Sequence, residues 1–238
     1  MYLPAPENRT MNRSPSNVAA VLAVISVALV LFAAQVTRGA SRALSEPAAA
    51  PVFDAMVTSA AEDTAVFAGG CFWGVEAVFE HVKGVKSAVS GYAGGDAASP
   101  SYEMVSTGDS GHAESVQVIY DPSQVSYGKL LQIFFSVAHD PTQLNRQGPD
   151  HGTQYRSAIF YNTPQQQHVA EAYIKQLTAA KTFSRPIVTQ VAKLRAFYPA
   201  EAYHQDYLAH HPNQLYIVIN DQPKVAALKK QFADIYKN

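Results

Sequence analysis

From Thr64 onward the apolar and polar positions switch between two periods, and each switch marks an element. Thr64–Phe67 is a short apolar run that stops at Gly69-Gly70, as a buried strand does. Phe72, Val75, Val78, Phe79 and Val82 then recur at helical spacing, and Gly84 stops that helix after Lys83. Val85–Tyr92 (VKSAVSGY) reads as a strand closed by Gly94-Gly95. Ala113–Tyr120 (AESVQVIY) alternates as a strand does and ends at Asp121-Pro122. Tyr127–Ala138 predicts a strongly apolar helix, and 139–156 (HDPTQLNRQGPDHGTQYR) is a long polar loop of the kind that carries function. Ser157–Tyr161 is a strand; Pro164–Ala180 is a helix with Thr163 as its N-cap and Pro at the first helical position. Ile187–Leu194 predicts a strand, and Pro199–Leu208 and Lys224–Tyr236 predict helices. Some neighbouring strands lack a crossover helix between them, which argues an α+β sandwich with an antiparallel or mixed sheet.

The first sixty residues follow another pattern. Val18–Val36 (VAAVLAVISVALVLFAAQV) is uncharged and apolar on every side. As a helix it spans about 28 Å, close to one bilayer core. It predicts a membrane segment: an uncleaved anchor, or a signal peptide cut near Ser41-Arg42-Ala43. The run is longer than a signal peptide needs, which favours the anchor. Arg9 and Arg13 on one side balance Arg38 and Arg42 on the other, so flanking charge sets no orientation. The expectation is an exported or membrane-anchored chain with its folded part outside the cytoplasm, in the periplasm. Residues 1–43 form this targeting unit, 44–62 are rich in Ala, Pro and Ser and read as a flexible linker, and 63–238 form the folded domain.

Composition narrows the class. A chain of 238 residues that is 47% hydrophobic can build one sizeable core. Beyond residue 43, fourteen Lys and Arg face eighteen Asp and Glu, a net charge of -4, which argues against a nucleic-acid partner. The chain has one cysteine, so an internal disulfide framework and a zinc site of several thiolates are both excluded. No metal is expected.

That cysteine, Cys71, lies in FAGGCFWGVEAVFEHVKG (67–84), behind two glycines and before Phe72 and Trp73. If Gly69-Gly70 turns the chain, Cys71 opens a helix, where free N–H groups and the dipole favour a thiolate. A buried, inert thiol is the plainer alternative. Two aromatic rings at a helix start can border one small pocket, and such a pocket suits an uncharged, polarizable group such as a thioether methyl.

GCFWGVE (70–76) resembles the active-site motif of the A-type methionine sulfoxide reductases, the peptide-methionine (S)-S-oxide reductases. The likeness continues through SGYAGG (90–95), GHAESVQVIYDP (111–122), HDPTQLNRQGPDHGTQYRS (139–157) and YPAEAYHQDYL (198–208), in order, over roughly Thr64–Pro212. It implies a ferredoxin-like two-layer α/β sandwich acting as a monomer on free or protein-bound methionine-(S)-sulfoxide. It also implies roles for particular residues. Cys71 would be the nucleophile, and Glu114 the acid that hydrogen-bonds the sulfoxide oxygen. Tyr92 and Tyr155 would be phenols holding that oxygen, and Asp150 an acid acting through water. Phe72 and Trp73 would wall the substrate methyl, with His204 and Asp206 as support behind them.

The chain departs from that pattern in its tail. Many family members carry further cysteines near the C-terminus, whereas 210–238 has none and Ser106 stands where relatives often have one. A sulfenic acid on Cys71 would then need an external thiol: a thioredoxin-like protein, a glutaredoxin or glutathione. Pro149 replaces a more usual Asn and stiffens the loop. Three rivals stay open at this point, one of them a sulfoxide-binding or adhesion module that would bind without turnover. A Cys-His hydrolase would set His112, His139 or His151 against Cys71, and a peroxide sensor would oxidise Cys71 but ignore sulfoxides. Asp140 is expected to bond local backbone, and Arg146 and Arg156 to pair with loop carboxylates.

Overall fold

The computed structural model describes residues 44–54, 62–96 and 100–238. The Val18–Val36 run and the possible cleavage site lie outside the described residues, and among the described residues no helix is long and apolar enough to cross a membrane.

Six strands make one sheet. They are β1 (Asp63–Gly69), β2 (Val85–Ala93), β3 (Ala113–Tyr120), β6 (Ser157–Tyr161), β7 (Gln190–Lys193) and β8 (Phe197–Pro199), in the order β7-β6-β1-β3-β2-β8. Only the β6–β7 pair is parallel, so the sheet is mixed. A separate small hairpin joins β4 (Arg146–Gln147) to β5 (Asp150–His151) inside the long polar loop. Helix α1 (Phe72–Glu80) links β1 to β2, and α3 (Tyr127–Ile133) with its π-helical continuation Phe134–Ala138 lies between β3 and β6. The four central strands β6-β1-β3-β2 are mutually antiparallel, the arrangement of a split βαβ ferredoxin-like unit. The fold is thus an α+β sandwich.

Alternation along the strands explains the layering. In β1, Ala65 and Phe67 enter the main core, while Val66 and Ala68 enter a smaller apolar cluster with Ala93, Ala113, Ala158 and Phe160. The main core centres on Phe67, whose ring stacks on Phe79 at 5.2 Å and on Phe134 at 5.0 Å. In β3, Val116, Val118 and Tyr120 face the main core, and parity puts Glu114 on that same face. This places a carboxyl beneath the start of α1.

Four expectations need correction. Residues 44–54 are not a free linker. Leu44 N donates to Ser136 O and Ala48 N to Ser136 Oγ, while Gln132, Tyr173 and Gln176 donate to the carbonyls of Ala48, Ala49 and Ala50. Asp54 then accepts from Gly128 N at 2.8 Å. The segment's own composition could not show this, because the holding side chains belong to other elements. Pro199–Leu208 is not a helix. Tyr198 pairs with Tyr92 in β8, a 3-10 turn covers Ala202–His204, and Asp206 is left-handed at φ 53, leaving only α5 (Tyr207–His210). Gln205 holds the segment to β2 by accepting from Ser90 N and donating to Ser90 O. The strand expected over Ile187–Leu194 is confined to β7, and the last helix, α6, runs only over Gln222–Gln231 after a π-helical turn at Ile217–Asp221. The remaining helices are α2 (Tyr102–Ser106) and α4 (Pro164–Ala179), the latter capped by Thr163 Oγ1 accepting from Gln166 N.

Candidate active site

The site begins with a backbone turn. Gly70 has φ +90, and a side chain there would meet Gln147 Cβ at 2.4 Å. Only glycine fits both the angle and the space. The turn brings Cys71 to the N-cap of α1 with 7% of its surface exposed. Phe72 N, one of the free donors of the helix start, donates to Glu114 Oε2 at 3.0 Å. The thiol and the carboxyl are therefore joined through one peptide.

Burial then sets the protonation states. Glu114 is pushed up to about 8, first by burial, with Asp150 and Asp221 adding to it against the pull of the Phe72 hydrogen bond. It is an acid at neutral pH. The sequence suggested a low thiol pKa at Cys71, but the structure raises it well above its ordinary value. Burial is the largest cause, followed by Glu114 and Asp221; Lys224 and the Trp73 backbone N–H pull the other way without prevailing. The resting site holds a thiol beside a carboxylic acid.

The aromatic walls are built by several elements. Phe72 is buried and lies 5.9 Å from Tyr92 and 5.0 Å from His204, ring centre to ring centre. Trp73 stacks on Tyr207 at 3.8 Å, meets Tyr216 edge-on at 6.0 Å, and donates from Nε1 to His204 Nδ1 at 3.1 Å. His204 thus accepts the hydrogen bond of the indole. Asp206 does not share that role. It hydrogen-bonds Glu80, whose pKa is pushed up to about 8 by burial first, then by Asp206 and Glu76.

The predicted phenols divide. Tyr155 stands with its hydroxyl influenced by Glu114, Asp150, Tyr102 and Cys71, and burial raises its pKa. Tyr92 is the register partner of Glu114 on the same face, but its hydroxyl is donated to Glu201 Oε2 at 2.8 Å. The other Glu201 oxygen accepts from Tyr102 N at 2.8 Å, so Tyr92 and Glu201 together anchor the start of α2. Tyr102, which the motif reading did not single out, has its ring 4.5 Å from His204, and burial first, then Glu114 and Cys71, raise the pKa of its hydroxyl. The alternation of β2 gave no sign that the Tyr92 hydroxyl would be taken, because Glu201 lies 109 residues further along.

The C-terminal arm adds three residues that no motif flagged. Tyr216 donates its hydroxyl to Asp150 Oδ2. Asp221 and Lys224 form a wholly buried ion pair at 3.0 Å. A Cβ on Gly74 would stand 2.1 Å from Asp221 Oδ1 and 2.8 Å from Lys224 Nζ, so the pair lies directly against the first turn of α1.

The histidines do not make a hydrolase. His139, lowered to about 4 by burial, hydrogen-bonds Phe134 O and Ser157 Oγ through its two ring nitrogens. His151 bonds Pro149 O, and His112 Nδ1 accepts from Gly95 N. Asp140 bonds Thr142 and Gln143 as the loop reading expected. Arg146 instead donates to the carbonyl of Gly148, and Arg156 to the carbonyls of Thr153 and Gly111.

A buried thiol, a protonated carboxyl and phenols beside an aromatic cage suit a reductase that acts through a thiol. The family model described as peptide methionine sulfoxide reductase matches residues 63–236. The chain belongs to that family. It is 60% identical over 174 residues to the peptide methionine sulfoxide reductase MsrA 2 of Mesorhizobium japonicum, covering 73% of this chain and 89% of the relative. It is 54% identical over 180 residues to the MsrA 2 of Synechocystis, covering 76% and 84%. Among solved structures, methionine sulfoxide reductase A of Corynebacterium diphtheriae superposes with a TM-score of 0.56 at 37% identity, over 71% of this chain and 84% of that one. The protein is an oxidoreductase that reduces methionine sulfoxide in the repair of oxidised protein.

Proposed function

We propose that Cys71 takes the oxygen of the S epimer of methionine sulfoxide directly, with Glu114 serving first as acid and then as base. The observation that carries this is the Phe72 N to Glu114 hydrogen bond, which holds a neutral carboxyl beside the chain's single thiol. Glu114 gives its proton to the sulfoxide oxygen, which makes the oxygen able to leave sulfur. Tyr102 and Tyr155 donate to that oxygen as charge shifts onto it. The Cys71 sulfur attacks, the S–O bond of the substrate breaks, and the hydroxyl passes to Cys71. The thiol proton returns to Glu114. The products are methionine and a cysteine sulfenic acid: the substrate sulfur has gained two electrons and the cysteine sulfur has lost two. Phe72 and Trp73 hold the methyl group, and handedness follows from fixing oxygen and methyl on different sides of one sulfur.

With one cysteine in the chain, an outside thiol regenerates it. A first thiol displaces water from the sulfenic acid to give a mixed disulfide, and a second releases Cys71. A thioredoxin-type protein suits this, as do glutathione and glutaredoxin together. The assay is reduction of each sulfoxide epimer by the purified protein with dithiothreitol. Consumption of the S epimer alone is the expected result; equal use of both, or of neither, refutes the reading.

The chain acts as a membrane-anchored or exported protein, a reading supported by the uncharged Val18–Val36 run. Full-length protein is expected to pellet with membranes and to resist a high-salt wash. A soluble form starting near Leu44 identifies a cleaved signal peptide instead, and unprocessed soluble protein contradicts both forms.

A further inference from the structure

Exposed apolar side chains gather on the segments that build the cage. Among the described residues eight large apolar side chains are exposed, and five of them lie on those segments. Tyr203 precedes His204, Met104 stands on α2 two residues beyond Tyr102, and Leu215, Val218 and Ile219 lie within three residues of Tyr216 on the C-terminal arm. Tyr203 and Leu215 are the most open of the five, at 61% and 71%. The rings between these two flanks are contiguous. Tyr203 meets His204 at 4.2 Å, His204 meets Trp73 at 5.8 Å, and Trp73 meets Tyr216 edge-on at 6.0 Å. An apolar ridge thus crosses the cage, from Tyr203 on one side to the arm on the other. A single exposed apolar residue needs no explanation, but a connected row beside a substrate site does.

We propose that this ridge binds the polypeptide on either side of the oxidised methionine and selects apolar neighbours in an extended chain. The inference rests on the placing of the substrate methyl between Phe72 and Trp73, which fixes where the chain enters. The ridge is continuous with that substrate site through the rings of His204 and Tyr216. An extended chain advances about 3.4 Å per residue, so a few residues cover the distance from Trp73 to either flank. Neither flank offers a free charge to a charged neighbour. Residues 207–220 contain no Asp, Glu, Lys or Arg. On the other side Glu201 is taken by Tyr92 and the Tyr102 amide, and Glu103 accepts from Ser101 Oγ.

Apolar neighbours are buried in most folded proteins. A surface that prefers them directs the enzyme to methionines laid bare when a damaged protein opens. Covering roughly 55 Å² of apolar surface in all is enough for about a tenfold gain in affinity. The flanks touch no reacting atom, so they hold substrate and transition state alike. Binding of that kind lowers KM and leaves kcat unchanged.

The experiment uses the full-length protein and short peptides that carry methionine-(S)-sulfoxide between leucines or between serines. Binding is read with Cys71→Ser, which cannot turn over, by the fluorescence of the single tryptophan, Trp73. Failure of this inference and failure of the proposed chemistry therefore give different results. The Leu-flanked peptide is expected to bind about tenfold tighter than the Ser-flanked one. Tyr203→Ser and Leu215→Ser each lower that ratio by about threefold and together abolish it, whereas Tyr203→Phe keeps the ring and the ratio. With Cys71 intact, the two serine changes raise KM for the Leu-flanked peptide, leave its kcat, and do not alter reduction of free methionine sulfoxide. Val52→Ser, 90% exposed on the segment held by Gln176, changes none of these values. Equal binding of the two peptides overturns the proposal. So do serine variants that weaken free sulfoxide as much as the Leu-flanked peptide, or that slow only the recycling of Cys71 by a protein dithiol.

Discussion

Breaking the buried ion pair beneath the active helix separates two ways in which Asp221 and Lys224 could matter. Their side chains are 0% and 3% exposed, and the second oxygen of Asp221 has no hydrogen-bond partner among the described residues. Lys224→Met leaves a carboxylate in the core with no cation. Removing one partner of such a pair costs about 3–5 kcal/mol, because the remaining charge keeps its desolvation penalty. For a chain of this size each kcal/mol lowers the melting temperature by about 2–4 °C, which gives a fall of roughly 6–20 °C. Asp221→Asn strands the ammonium and falls in the same range. The double variant Asp221→Asn/Lys224→Met buries no ion and should lie within about 2 kcal/mol of the parent, since neutral replacement of a buried pair is often near-neutral. Urea denaturation followed by the fluorescence of Trp73, the single tryptophan, reads all three directly at the site. A Lys224→Met cost below about 1 kcal/mol, or a double variant as unstable as the two singles summed, refutes the argument.

Four further outcomes follow from the same geometry. Glu114→Gln should slow reduction by roughly 10²–10⁴-fold, and the parent's kcat/KM should fall above pH 8 while the variant loses that limb; a near-parental rate removes Glu114 from the chemistry. Because folding raises Glu114 from 4.5 to about 8, its contribution to stability is complete below pH 4.5 and is lost as pH rises to 8, so urea midpoints should decline across that window and Glu114→Gln should flatten the decline. Tyr102→Phe should lower kcat with little change in melting temperature, whereas Tyr92→Phe leaves Glu201 without one of its two donors and should cost about 1 kcal/mol of stability, read by the same denaturation; the reverse pattern returns Tyr92 to the oxygen site. Gly74→Ala should destabilise strongly, since the added methyl falls 2.1 Å from Asp221 Oδ1, and an unaltered melt contradicts the packing described there.

The sheet was legible because its strands carry their own signal. Ala113–Tyr120 alternates and ends at Asp121-Pro122, Ser157–Tyr161 is a short strand-like run, and both appear at the predicted limits. The starts of α1 and α4 were legible for a similar local reason: Gly69-Gly70 turns the chain before α1, and Thr163 caps α4. What could not be read lies in long-range capture. The Ala-Pro segment 44–54 looks structureless until Ser136, Gln132 and Gln176 take its backbone groups. The stretch after Pro199 looks helical by composition, yet Gln205 spends its amide on β2 and Asp206 turns left-handed. In the site, motif order brought out Cys71, Glu114, Tyr155 and Asp150, while Tyr102, Tyr216 and the Asp221–Lys224 pair emerge only once the arm folds back on α1. The thiol pKa was misjudged because the helix dipole is a local effect and can be read, whereas burial and the carboxylates of β3 and the arm are tertiary.

The central claim is that one thiol takes one oxygen. The protein is mixed with excess methionine-(S)-sulfoxide and no reductant, methionine is counted by chromatography, and the chain is weighed by mass spectrometry. The account predicts about one methionine per chain, the gain of one oxygen on the peptide bearing Cys71, and arrest until a thiol is added. Turnover that continues without any thiol, or a chain that releases methionine while Cys71 stays unmodified, contradicts it.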